Sequence, residues 1–167
     1  MSGSVAIIGF GGRGKRWASS FHSAGWALRG FDPDTTAGLH LPAQAWRREE
    51  TISQTVAAAH VVAMCLPERL ELMQKVMQRV QAEAPQDAIL AVDSAVFSID
   101  DIQNCALRPA NVVRAQIADD DGFTIDVSPK TATKIRAASE RILSQIAAHN
   151  SLAASLSQPQ RPDAESA

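Results

Sequence analysis

Apolar residues recur along the first 150 positions in two alternating rhythms. Residues 5–8, Val-Ala-Ile-Ile, form a short apolar run that stops at glycines and reads as a strand. Residues 13–24 place Trp17, Ala18, Phe21 and Ala24 on one helical face, and Gly25 ends that helix. Residues 26–31 read as a second strand, closed by Asp32-Pro33, and 45–47 as a brief third. Thr51 is positioned to cap a helix running through residue 59. Residues 61–66 are continuously apolar up to Pro67, as suits a strand buried on both faces.

The clearest helical stripe covers residues 68–84, where Met73, Val76, Met77, Val80 and Ala84 recur at steps of three and four. Such a stripe packs on a sheet; an adaptable Met-rich partner groove is the other reading. Residues 88–92 read as a strand. Ser98 caps a short helix with Asp100 and Asp101 in its first turn, where the helix dipole favours them. Residues 112–117 and 123–127 read as strands joined by Asp119-Asp120-Asp121-Gly122, a connection short enough for an antiparallel hairpin. A last amphipathic helix spans 129–148 through Ile135, Ala138, Ile142 and Ile146. From Ser151 the chain turns to Ser, Gln and Pro without aromatics, which predicts a disordered tail over 151–167. Strands alternating with helices predict an α/β domain over 1–150, with a mainly parallel, doubly wound sheet and a late antiparallel hairpin.

Composition narrows the class. The 167 residues are 46% hydrophobic and 20% charged, a globular balance and one domain's length. A formal charge of −2 argues against a general binder of nucleic acid or anionic membrane. No apolar run is long enough to span a bilayer, and the N-terminus shows no basic region before an apolar one, so a cytoplasmic protein is expected. Two cysteines, Cys65 and Cys105, are too few for a disulfide framework and read as buried thiols.

The chemistry begins where the first strand ends. Gly9-Phe10-Gly11-Gly12-Arg13-Gly14 carries the spacing G-x-G-x-x-G between a strand and a helix. Gly9 permits the tight turn, Gly11 lets a pyrophosphate approach the backbone, and Gly14 lets the helix pack on the strand. Free N–H groups at the helix start then bind the anion. Arg13, Lys15 and Arg16 are candidates to help hold phosphate; Lys15 and Arg16 also read as solvated helix residues. Asp32 ends the second strand, 18 residues beyond Gly14. A carboxylate there accepts from an adenosine ribose and repels a 2′-phosphate, which favours NAD over NADP. Its plainer reading is a turn residue before Pro33. The expected fold is thus a Rossmann-type dinucleotide-binding domain.

Several blocks, in order, resemble the NAD-binding domain of 3-hydroxyacyl-CoA dehydrogenases, a superfamily that includes carnitine dehydrogenases. They are Pro67-Glu68-Arg69-Leu70-Glu71-Leu72, residues 88–99 (Ala-Ile-Leu-Ala-Val-Asp-Ser-Ala-Val-Phe-Ser-Ile), and Arg108-Pro109-Ala110-Asn111-Val112-Val113. The similarity covers roughly residues 4–148. The stretch between Asp32 and His60 is shorter than usual there and closer to 3-hydroxyisobutyrate dehydrogenase spacing. The resemblance implies that Glu68 lies by the cofactor, and it puts Met73 where the family has a lysine. It places the family's serine on Ala95 and its acid/base histidine on Gln116. The histidine's glutamate partner falls near Asp126 or on Ser128, and an asparagine near Asp119. The family's helical C-terminal domain has no counterpart in these 167 residues.

Oxidising a secondary alcohol needs a proton acceptor, and a glutamine amide does not take that proton at neutral pH. Losing a positioned base costs ~10²–10⁴-fold in rate. His22, His40, His60 and His149 fall at unsuitable places, Asp93 reads as a turn residue or a weak base, and the three aspartates at 119–121 read as a solvated loop rather than a metal site. No residue is assigned a catalytic role. The expected cofactor site is Gly9, Phe10, Gly11, Gly12, Arg13, Gly14, Asp32 and Glu68, with NAD as cofactor. The expectation is an NAD-binding module without its own dehydrogenase activity, used in sensing, regulation or partner binding. The alternative is a 3-hydroxyacyl-CoA or hydroxyacid oxidoreductase completed by a second chain. A homodimer, or a partner supplying a helical domain, is compatible with either. A hydroxyisobutyrate-type enzyme ranks last, because no lysine stands at a matching strand end.

Overall fold

A computed structural model describes residues 3–157. Seven strands form one sheet in the order β3-β2-β1-β4-β5-β6-β7. They are β1 Ser4–Ile8, β2 Ala27–Phe31, β3 Trp46–Arg48, β4 Val61–Met64, β5 Ile89–Val92, β6 Val112–Ile117 and β7 Phe123–Asp126. All neighbours are parallel except β6 and β7, which pair antiparallel with Gln116 opposite Thr124 and Arg114 opposite Asp126. The chain winds outward from β1 through β2 to β3, then crosses back to β4 on the other side of β1. The crevice at that reversal, outside the carboxyl ends of β1 and β4, is where such sheets bind ligands.

Helices α1 (Gly12–Ser23) and α5 (Thr133–Ser157) cover one face of the sheet, and α2 (Ile52–Val56), α3 (Leu70–Glu83) and α4 (Ile99–Gln103) the other. Strand side chains alternate between the two cores. Val5 and Ile7 join Trp17, Phe21 and Ile146, while Ala6 and Ile8 join Met73, Met77 and Ile102. The Met stripe of α3 is therefore core. Thr51 caps α2 by accepting from Gln54 N–H at 3.1 Å, and Ser98 caps α4 by accepting from Asp101 N–H at 3.1 Å.

Boundaries shift in three informative places. α3 begins at Leu70, because Arg69 N–H turns back to the Pro67 carbonyl, so Glu68 lies in a loop rather than on the helix. α5 begins at Thr133, after Ser128 Oγ has accepted from Lys130 N–H and closed a local turn. It then runs on to Ser157, so residues 151–157 are helical rather than tail. Polar composition misleads there, since Ala and Leu continue the helix with no breaker before Pro159. The remainder of the expected tail, 158–167, lies outside the described residues.

Gln103 holds the β6 side together from the end of α4. Its amide nitrogen donates to the Pro109 and Val112 carbonyls and to Thr131 Oγ1, and its oxygen accepts from Ser128 Oγ at 2.5 Å. Replacing it with Met removes these links and leaves the Ser128 hydroxyl without its acceptor. Gln103→Met is expected to cost ~1–3 kcal/mol in urea unfolding, and a loss below ~0.5 kcal/mol contradicts this role.

Candidate functional site

The glycine loop sits at the switch point as its spacing requires. Gly9 has φ +98°, and a Cβ there would lie 2.3 Å from the Cys65 carbonyl oxygen. A Cβ on Gly14 would lie 1.9 Å from the Gly9 carbonyl oxygen, so only glycine lets α1 start against the β1 turn. Gly11 and Gly12 differ from both: an added Cβ would meet nothing within 4 Å. Among the described residues, the N–H groups of Gly11, Gly12 and Arg13 have no hydrogen-bond partner. An open surface with unpaired donors at a helix start is the local requirement for holding a phosphate.

Phe10 contributes differently from its motif neighbours. Its side chain is 2% exposed, packed on Gly30 and edge-on to Trp46, with the Arg48 guanidinium 5.1 Å from its ring centre. Its N–H donates to Asp32 Oδ2 at 2.8 Å. Asp32 Oδ1 accepts from Asp34 N–H at 2.8 Å, so the carboxylate is fixed at the end of β2 with lone pairs to spare. The turn reading of Asp32 is therefore correct as far as it goes, and it also orients the group. Beyond the turn, hydrogen bonds from the Thr36 hydroxyl and backbone hold the Asp34 carboxyl below its ordinary range.

Between these groups lies a largely apolar cleft of about 530 Å³. Ile8, Phe31, Ile52, Leu66, Leu72 and Val76 supply its walls, and Gly9, Gly11 and Asp32 its rim. The sequence reading missed Ile52, Leu72 and Val76. Their signal was the edge of the helical stripes, where Leu72 and Val76 flank the buried Met73 and Met77.

Glu68 and Asp93 stand at the exits of β4 and β5. Glu68 Oε2 accepts from Ser94 Oγ at 2.7 Å and Oε1 from Ala95 N–H at 2.9 Å, which ties the two exit loops together. Asp93, 4% exposed, accepts from the Trp17 indole N–H at 2.8 Å. Arg13 reaches across both carboxylates at 3.3 Å and donates to the Leu66 and Asp93 carbonyls. Trp17 was read only as a core residue; a buried indole needs an acceptor, and that need was the available signal. Beneath the loop, burial and then the nearby Asp93 charge push the Cys65 thiol well above its ordinary range, which keeps it protonated and unreactive. Arg16 clasps the β6–β7 hairpin through the Ile117 and Ala118 carbonyls and Asp121 rather than standing free in solvent.

The 3-hydroxyacyl-CoA dehydrogenase NAD-binding domain model matches residues 42–118. An L-carnitine dehydrogenase/betainyl-CoA thioesterase of Ruegeria pomeroyi is 30% identical over a 129-residue alignment covering 65% of this chain and 26% of that protein. An L-carnitine dehydrogenase of Streptomyces griseus is 27% identical over 129 residues, covering 65% of this chain and 38% of its own. The chain thus spans well under half the length of these relatives. The structure of (S)-3-hydroxybutyryl-CoA dehydrogenase from Ralstonia eutropha superposes with a TM-score of 0.78 at 14% identity, covering 86% of this chain and 60% of that one. The chain is thus similar to the NAD-binding domain of the 3-hydroxyacyl-CoA dehydrogenase superfamily. Its cofactor is NAD(H).

The positions to which the sequence resemblance assigned the reacting residues are Ala95 and Gln116, and neither side chain accepts a proton at neutral pH. Ala95 is exposed at the β5 exit. Gln116 lines a pocket of about 70 Å³ with Arg13, Arg16, Asp93 and Ile117. Asp126 is held by Arg114 across the hairpin at 2.5 Å, and Ser128 by Gln103, so neither orients a base at 116. His60 is at the opposite end of the sheet, where its Nδ1 accepts from Ser4 N–H at 3.0 Å. His22 and His149 lie on α1 and α5, and His40 in the loop before β3 at φ 58°. Among the described residues, no three His, Cys, Asp or Glu side chains are grouped to hold a metal.

The two kinds of glycine separate binding from folding. Gly11→Ala is expected to unfold at a denaturant concentration near that of the wild type while losing most NADH affinity. Gly14→Ala is expected to lose at least ~1–3 kcal/mol of stability. Equal stability losses in both variants contradict the assignment.

Proposed function

We propose that this domain binds NAD(H) through Gly9, Phe10, Gly11, Gly12, Arg13, Gly14, Asp32 and Glu68 and does not itself catalyse alcohol oxidation. The observation that carries the first half is the pairing of unpartnered N–H groups at Gly11, Gly12 and Arg13 with the fixed Asp32 carboxylate. The diphosphate sits on those amides, Asp32 receives the adenosine ribose hydroxyls, and the apolar cleft takes the adenine. Phe10 and Gly14 shape the loop from behind. Glu68 fixes the β4 and β5 exit loops relative to each other, beside the second half of the cofactor.

The second half rests on Gln116, Ala95 and the engaged Asp126. Bound NAD supplies a hydride acceptor, but Ala95 and Gln116 do not take the proton that must leave with it, and the Asp93 carboxylate at the β5 exit is engaged by Arg13 and the Trp17 indole. Cofactor sensing, regulation or partner binding in the cytoplasm is the role that remains. A second reading, an oxidoreductase completed by another chain, draws on α5. Leu152 and Leu156 are 61% and 78% exposed one helical turn apart, an apolar pair suited to a helical neighbour.

Fluorescence titration with NADH is expected to give saturable binding in the micromolar range, with no turnover of short 3-oxoacyl-CoA substrates by the pure chain. Turnover by that chain alone overturns the proposal; turnover only after a co-purifying chain is added selects the second reading. Asp32→Ala is expected to weaken NAD+ more than NADP+ in calorimetry. Equal losses contradict the ribose assignment.

A further inference from the structure

Position 13 holds a cation where a helix start disfavours one, since α1 has no acidic residue in its first turn and the dipole presents positive charge there. Its guanidinium is stabilised from outside the helix. Glu68 and Asp93 supply two carboxylates at 3.3 Å, and the Leu66 and Asp93 carbonyls also accept from it. Those carbonyls belong to the exits of β4 and β5, so one side chain fastens both strand ends to the start of α1.

This placement divides the crevice. On the β1–β2 side of Arg13 lies the cleft of about 530 Å³, with the glycine loop and Asp32 on its rim. On the β5–β6 side lies the pocket of about 70 Å³ beside Gln116. Arg13 lines both. A dinucleotide crosses the switch point, so with its adenosine half over β1 and β2 its second half belongs over the exits of β4 to β6. The adenosine diphosphate half thus has room with Arg13 in place, whereas the second half has to cross the Arg13 bridge to Glu68 and Asp93.

We infer that Arg13 is a specificity-determining latch that favours adenosine diphosphate over the complete dinucleotide. An adenosine diphosphate ligand fills the large cleft, leaves the latch closed and gains a cation beside its outer phosphate. The complete dinucleotide binds only after the guanidinium leaves Glu68, Asp93 and the two carbonyls. Breaking those charge-assisted bonds lowers the apparent affinity for the dinucleotide by the fraction of molecules already open. The carboxylates that hold the latch are the groups beside the second half of the cofactor, so entry there exchanges one partner of Glu68 for another. This inference rests on the cofactor reading above.

Calorimetry on the full chain, with ADP and NADH as titrants, compares the wild type with Arg13→Met and Arg13→Lys. Met fills the same space near the helix without spanning the strand exits. Lys keeps the charge but lacks the planar fork that reaches two carbonyls together. NADH is chosen because its dihydronicotinamide is uncharged, so freed carboxylates do not attract it by charge. The ratio of NADH to ADP affinity is expected to rise about tenfold or more in Arg13→Met, and in the same direction in Arg13→Lys. An unchanged ratio in the variants that still bind ADP overturns the latch and leaves the cofactor reading standing. A wild type that binds neither titrant overturns both.

Discussion

The contact on which this domain depends is the one between the start of α1 and the turn that leaves β1. With 1.9 Å between the Gly9 carbonyl oxygen and the place of a Cβ on Gly14, no side chain fits between helix and sheet. That closeness lets Trp17, Ala18 and Phe21 reach the core formed by Val5 and Ile7. It also aims the first N–H groups of α1 at the switch point instead of past it. Asp32 completes the arrangement from β2 by holding the N–H of Phe10, so the loop is braced on both sides of the surface left open at Gly11. The loop is held tight at Gly9 and Gly14 and stays open at Gly11, where an added Cβ would meet nothing within 4 Å.

Much of this was legible in the chain. The short apolar run at 5–8, the glycine spacing and the acid at the end of the second strand each follow from local rules, and all three fall where those rules put them. The antiparallel hairpin was readable for a similar reason, since five residues between strands leave little choice of direction. What was not legible depended on partners far away in sequence. Glu68 looked helical until Pro67 drew the Arg69 N–H back. Arg13 and Arg16 looked alike as basic residues on one helix, yet one spans two strand exits and the other a hairpin 101 or more residues further on. Residues 151–157 looked like a tail by composition, but composition does not register that an established helix extends readily until something stops it.

Around Gln116, the polar groups at the exits of β5 and β6 have found partners among themselves. Asp126 pairs with Arg114, and Arg114 also donates to the Phe97 carbonyl at 2.9 Å. Ser94 Oγ accepts from Phe97 N–H at 3.0 Å, so the β5 exit is closed by internal bonds. These polar groups satisfy one another, which is what a buried or half-buried cluster requires in the absence of a substrate.

The margins of the sheet have a consequence for self-association. β3 is only three residues long and ends in Arg47 and Arg48, and β7 is four residues long with Asp126 facing outward. Short borders carrying charge are poor templates for an added strand. Neither flank therefore invites a neighbouring chain to zip on by backbone pairing.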